Sequence, residues 1–184
     1  LMNNSLQKYL NFANKLADVA SITSMQYFRT SLDIDNKSDE SPVTIADKNT
    51  ELKIRSMIEK EYPDHGILGE EFDNINPNAE FIWVIDPIDG TRSYIAGHKD
   101  FGNLISLTQN KKPIIGIINC PAHHERWVGI RNQNTTLNKQ FTKCSKVTSI
   151  EDAYLFTSGL YFDEPQLRNA VDKIKNKVRY FRYG

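Results

Sequence analysis

The chain has 184 residues, 39% of them hydrophobic and 25% charged, and its 23 basic and 23 acidic side chains cancel at neutral pH. That length supports one well-buried domain, or one domain and part of a second, with the composition of a globular protein and not a disordered one. No basic stripe suggests a nucleic-acid partner, no stretch approaches the roughly 20 apolar residues of a membrane span, and the N-terminus LMNNSLQKYL lacks the basic-then-apolar pattern of a signal peptide.

The first predicted element is a helix over Ser5–Arg29, with Leu6, Tyr9, Leu10, Ala13, Leu16, Ala17 and Ala20 at helical spacing and Ser5 as N-cap. Asp33–Glu40 reads as a polar, acidic connection; a calcium loop would place a glycine at the sharp turn, and none is there. In SPVTIAD, Val43 and Ile45 alternate as a short extended piece, and Asp47 stands where the next helix begins. Ile54, Met57, Ile58 and Tyr62 give that helix its apolar face, and Tyr62-Pro63 ends it. A brief strand in HGILGEE releases Glu70 and Glu71. Phe81–Ile85 reads as a buried strand that stops at Asp86-Pro87 and turns through Ile88-Asp89-Gly90, after which Thr91 opens a short helical turn.

Phe101–Leu107 and Pro113–Asn119 form a hairpin pattern around Gln109–Lys112, and Glu125–Arg131 with Thr135–Leu137 a second strand pair. Ala153–Ser158 reads as a strand, Glu164–Lys175 as a helix capped by Asp163, and Val178–Tyr183 as a last strand. The order is that of an α/β layered arrangement, divided into residues 1–145, which carry the acidic cluster, and 146–184, which begin a second α/β domain. Cys120 and Cys144 show neither CxxC nor zinc-ligand spacing, and reduced thiols in a cytoplasmic protein are the expectation.

Asp47, Glu70, Glu71, Asp86 and Asp89 all fall at element ends. Hard oxygen donors of this kind suit magnesium or manganese, and the lack of a His/Cys cluster argues against zinc. Carboxylates crowded together repel one another without a cation. Asp89-Gly90-Thr91 offers backbone N–H groups at a helix start to a phosphate, with Gly90 permitting close approach, and Thr91 presents a hydroxyl to a water. Against this, Asp-Pro and Asp-Gly are ordinary turn dipeptides, and an Asp at a helix start is usually only a cap. The joint order of the acidic positions favours the metal reading.

SPVTIAD, GILGEE and WVIDPIDGTRSYIAG, in that order, resemble the inositol monophosphatase superfamily of metal-dependent, lithium-sensitive phosphomonoesterases, over essentially the whole chain. Arg92-Ser93-Tyr94 after DGT, then FGNLISL and ERWVG, resemble its histidinol-phosphatase branch, where inositol-type members continue DGT with Thr-Asn-Phe. The resemblance implies a layered α-β-α-β sandwich of the sugar-phosphatase-like type. It implies two or three Mg2+ ions, with Mn2+ as a substitute. Glu70 and Asp86 with the Ile88 carbonyl would bind the first, Asp86 and Asp89 the second, and Glu70 would reach a weaker third. Asp47 and Thr91 would orient and deprotonate a metal-bound water for in-line attack on phosphorus. Asp89 and the Gly90 and Thr91 N–H groups would hold the phosphate, Arg92 would touch substrate or fix the loop, and Glu71 would support the ligands from behind.

The resemblance further implies a small phosphorylated alcohol as substrate, histidinol phosphate first and inositol 1-phosphate or a 3′-phosphonucleotide as alternatives, and a homodimer without nucleic-acid or membrane partners. Family members continue for several tens of residues beyond the position of Gly184, through a Gly-Asp-x-x-Ala helix and an Asp that completes the second metal site. The expectation is therefore a second domain that is incomplete here, and a rival reading of another class is an inactive paralogue or binding protein. His65, His98 and the pair His123-His124 read as surface or supporting residues, Cys120 and Trp83 as core, and Trp127 as core or interface.

Overall fold

Apolar residues at helical spacing build α1 over Asn4–Tyr27, burying Phe12, Ala13, Leu16, Ala17 and Ala20 along one stripe. Ser5 lies inside its first turn and is not the cap its context suggests. The computed structural model describes residues 4–31, 34–36, 42–157 and 164–183. Much of the expected acidic loop, Asp33 and 37–40, lies outside them, as do Ser158 and the expected cap Asp163. The middle of that stretch is not loop: β1, Ile34–Asn36, pairs antiparallel with β2, Pro42–Thr44.

Helix α2, Ile45–Glu61, begins before Asp47. Thr44 is its N-cap, and Asp47 occupies the third helical position as the partner in a capping box. The Thr44 N–H and Oγ1 donate to Asp47 Oδ2 at 2.8 and 2.5 Å, and the Ala46 N–H donates to Thr44 Oγ1 at 3.1 Å. The Thr-x-x-Asp spacing is the local signature of that arrangement, worth about 1 kcal/mol.

Seven strands form one sheet in chain order: β3 (Gly66–Leu68), β4 (Phe81–Asp89), β5 (Gly102–Gln109), β6 (Lys112–Cys120), β7 (Glu125–Ile130), β8 (Thr136–Leu137) and β9 (Gln140–Phe141). β3 runs parallel to β4, and each later pair is antiparallel. Asn110 and Lys111, at φ 49° and 61°, make the tight β5–β6 turn, in which both central residues must be left-handed to match the strand twist. Asn138 and Lys139, at φ 48° and 69°, do the same between β8 and β9. β9 is an addition to the strands expected from the sequence.

β4 also runs past the expected end at Ile85. Its ladder with β5 holds to Asp86, breaks, and resumes at Asp89 opposite Gly102. Pro87 has no N–H to donate, so the chain bulges there and does not leave the sheet. Trp83 and Ile85 of β4, Ile105 and Leu107 of β5, and Ile115 and Ile117 of β6 pack against α1 and against Ile54 and Ile58 of α2. By the period of two, Val84 and Asp86 point to the opposite face. There Val84, Leu104, Ile118 and Trp127 line an open concavity of about 540 Å³. A smaller core of Ala46, Ile88, Tyr94, Phe101 and Ala122 seats the short helix α3, Thr91–Ile95, and the Tyr94 hydroxyl donates to the Ser24 carbonyl at 2.6 Å.

The chain divides into two units, Leu1–Thr142 and Lys143–Gly184. In the second, β10 (Tyr154–Thr157) and β11 (Tyr180–Tyr183) pair in parallel around α4 (Pro165–Lys175), a β-α-β arrangement. Glu164 stands at the N-cap position, followed by Pro165, whose missing N–H costs nothing in a first turn. β11 starts at Tyr180, two residues later than expected.

Candidate metal and phosphate site

Strand register brings the first carboxylates together. Leu68 of β3 pairs with Val84 of β4 in parallel, so the residues two places on, Glu70 and Asp86, emerge side by side. Asp86 is half-buried, and its carboxyl is pushed up to about 8. Burial is the main cause, followed by the charge of Glu70 and the hydrogen bond shared with it, then the charge of Asp89; the Ile88 N–H acts in the opposite sense. Asp86 Oδ1 is buried without a hydrogen-bond partner among the described residues. An orphaned carboxylate oxygen in such a place is destabilising unless a further donor or a cation meets it. Asp89, beyond the bulge, is exposed.

A second group forms where β4 meets α3. Asp47 is buried, its Oδ2 fixed by Thr44, while the Thr91 hydroxyl lies 3.0 Å from the Ile88 carbonyl and 3.5 Å from Asp47 Oδ1. With one hydrogen to give, Thr91 serves the nearer Ile88 oxygen. Gly90 holds φ 86°, and a Cβ on it would stand 2.8 Å from the Asp100 carbonyl, so glycine is required on both counts. The Arg92 side chain is exposed and makes no hydrogen bond or ion pair among the described residues.

Sequence reasoning missed what holds the Gly69–Asp73 segment. Glu51 of α2 is wholly buried; its Oε2 accepts the Glu70 and Glu71 N–H groups at 3.0 and 2.9 Å, and its Oε1 accepts Arg55 Nε at 2.7 Å. Arg55 Nη2 and Nη1 in turn donate to the Phe72 and Asp73 carbonyls, each at 2.9 Å. Gly69 leaves room for this: a Cβ there would fall 1.9 Å from Glu51 Oε1. The one available signal was a Glu/Arg pair four apart, on the same helix as the buried Ile54 and Ile58.

The histidines stand apart. His123 Nε2 meets Asp100 Oδ1 at 3.0 Å on the surface, and His65 accepts from Trp83 Nε1. Trp83 is buried, Cys120 is half-buried rather than core, and Cys120 and Cys144 are both free thiols. Among the described residues no group of three or more His, Cys, Asp or Glu is arranged to hold a metal ion. Glu70 and Asp86 form a hydrogen-bonded acid pair with Asp89 as a charged neighbour. Their donor chemistry, carboxylate oxygens and one carbonyl with an orphaned oxygen among them, fits a hard divalent cation. Among the described residues no helix is long and apolar enough to cross a membrane.

A family model described as the inositol monophosphatase family matches residues 5–184. A chloroplastic bifunctional phosphatase of Arabidopsis thaliana is 37% identical over 100% of this chain and 54% of its own length. A histidinol-phosphatase of Chlorobaculum parvum is 36% identical over 90% of this chain and 65% of its own length. The chain thus spans between half and two thirds of these relatives. The structure of an inositol monophosphatase from Zymomonas mobilis superposes with a TM-score of 0.85 at 38% identity, over 99% of this chain and 70% of that one.

Proposed function

Because the chain belongs to the inositol monophosphatase family, we propose that it acts as a magnesium-dependent phosphomonoesterase on a small phosphorylated alcohol. The observation that carries this is the Asp86 carboxyl, held beside Glu70 and Asp89 with its Oδ1 buried and unpartnered. Glu70 and Asp86 with the Ile88 carbonyl would hold one cation, and Asp86 with Asp89 a second. Bound there, magnesium supplies a Lewis acid for a phosphoryl oxygen and lowers the pKa of water. Asp47, clamped by Thr44 and within 3.5 Å of the Thr91 hydroxyl, orients the attacking water with Thr91 and takes its proton. The Gly90 and Thr91 N–H groups donate to the phosphate, and Arg92, free of protein partners among the described residues, reaches toward substrate.

Residues 1–145 are assigned the cation site and 146–184 the start of a second α/β domain. Histidinol phosphate is the first choice of substrate, on Arg92-Ser93-Tyr94 and on the histidinol-phosphatases among the relatives. Inositol 1-phosphate is the second, favoured by the likeness to the Zymomonas mobilis enzyme. A cytoplasmic homodimer completes the reading.

The test is phosphate release from both substrates, with and without Mg2+, using Asp86→Asn as control. Metal-dependent turnover that is lost in the variant is the expected outcome, and the better substrate decides the branch. No release from this chain or from one extended to the relatives' length sinks the proposal.

A further inference from the structure

A chain of polar side chains crosses the interior between α1 and the sheet and ends inside the acidic bulge. Asn103 of β5 and Asn119 of β6 are directly opposed in the ladder, at 0% and 3% exposure. Buried carboxamides are tolerated only when their polar atoms are satisfied, and every donor of this pair is used. Asn103 Nδ2 donates to the Pro87 carbonyl at 2.7 Å and to Ser24 Oγ at 3.3 Å. Asn119 Nδ2 donates to Asn103 Oδ1 and to Ser21 Oγ, each at 2.8 Å. Arg126 closes the far end: its Nε donates to Asn119 Oδ1 at 2.9 Å, and its Nη2 pairs with Asp18 at 2.8 Å.

The direction of this relay follows from its last member. A guanidinium only donates, so Asn119 must turn its oxygen to Arg126 and its NH2 to Asn103. Asn103 must then present its own NH2 to Pro87. That carbonyl lies where the β4–β5 ladder is interrupted, between Asp86 and Asp89. Asn103 thus supplies from a side chain what the bulge takes from the backbone pairing.

We infer that Asn103 is a positioning residue for the cation site. It holds the Pro87 peptide so that the Asp86 and Asp89 carboxylates and the Ile88 carbonyl keep their places around the cation site, and Arg126, through Asn119, sets the direction of that hydrogen bond. The inference rests on the cation site proposed above.

The test is a Mn2+ titration read by the electron paramagnetic resonance of the free ion. It compares the parent chain, Asn103→Thr, Asn103→Ala and Arg126→Gln, with circular dichroism to verify each fold. A purely structural role would lower stability and leave the affinity alone. The expected result is a loss of Mn2+ affinity of about tenfold or more in the Asn103 variants and a smaller one, about threefold, in Arg126→Gln. Parent-like affinity in a folded Asn103 variant overturns the inference and leaves the phosphatase proposal standing. Were both Asn103 variants unfolded, parent-like affinity in Arg126→Gln overturns it instead. A parent that binds no Mn2+ removes the proposed cation site, and the inference with it.

Discussion

His65 lies between two aromatic rings, stacked on Tyr62 at 4.7 Å and on Phe81 at 5.1 Å, and accepts a hydrogen bond from Trp83 Nε1 at 3.1 Å. An accepting Nδ1 requires the neutral ring with its hydrogen on Nε2. Burial holds its pKa below the ordinary 6.5, against the opposing charges of Asp64 and Glu80. Below that value the unfolded chain takes up a proton that the folded chain refuses. The contribution of His65 is therefore present above about pH 6.5 and is lost as pH falls through the depressed folded value. Urea midpoints for the parent should drop more between about pH 7.5 and pH 5 than those of His65→Gln, with a shift in Trp83 emission only in the parent. Equal drops would dismiss the role. From the sequence His65 was legible only as a supporting histidine, since Trp83 is eighteen residues away and nothing local names the partner.

Between α2 and the segment after β3, the joint is a buried ion pair, and its worth lies in what it holds. Glu51 is 0% and Arg55 5% exposed, and together they bind the backbone of Glu70, Glu71, Phe72 and Asp73. Removing one partner leaves the other charge buried and alone. Glu51→Ala should therefore cost about 3–5 kcal/mol, read as a lower urea midpoint with unchanged slope. A loss under about 1 kcal/mol, the size expected of an exposed pair, would show that the joint carries no weight. The helix itself was legible from its apolar spacing and from Tyr62-Pro63. The function of Glu51 was not, because a carboxylate on a helix face reads as solvated until something packs over it.

Taken whole, the molecule is acid-favoured at the proposed cation site. Asp86 is raised from 3.8 to about 8, so across that window the folded chain binds more proton than the unfolded one, and stability falls as pH rises through it. A cation occupying the site opposes that fall and is most effective near the alkaline end, where the carboxyl is ionised. Mg2+ at about a hundredfold excess over its Kd should add about 2.7 kcal/mol, seen as a higher Tm near pH 8 than near pH 5 relative to metal-free protein. Asp86→Asn should flatten the alkaline decline and abolish the Mg2+ response. A parent whose Tm ignores Mg2+ near pH 8 would count against the site.

What the sequence by itself determined is local. It specified the stripe of α1, the hairpin around Asn110-Lys111, the helix that starts close to Asp47, and the order of Glu70, Asp86 and Asp89 at element ends, because periodicity and turn chemistry are written within a few residues. Tertiary structure alone decided that Pro87 makes a bulge and not a strand end, since that depends on β5 continuing alongside. It also decided that Glu51 faces the Glu70 N–H nineteen residues on, that Thr91 reaches Asp47 across forty-four, and that Asn103 reaches Pro87 across sixteen. Those partners are set by register and by burial. In the interior an amide or carboxylate must find its match wherever the packed chain brings one, and no local pattern records that choice.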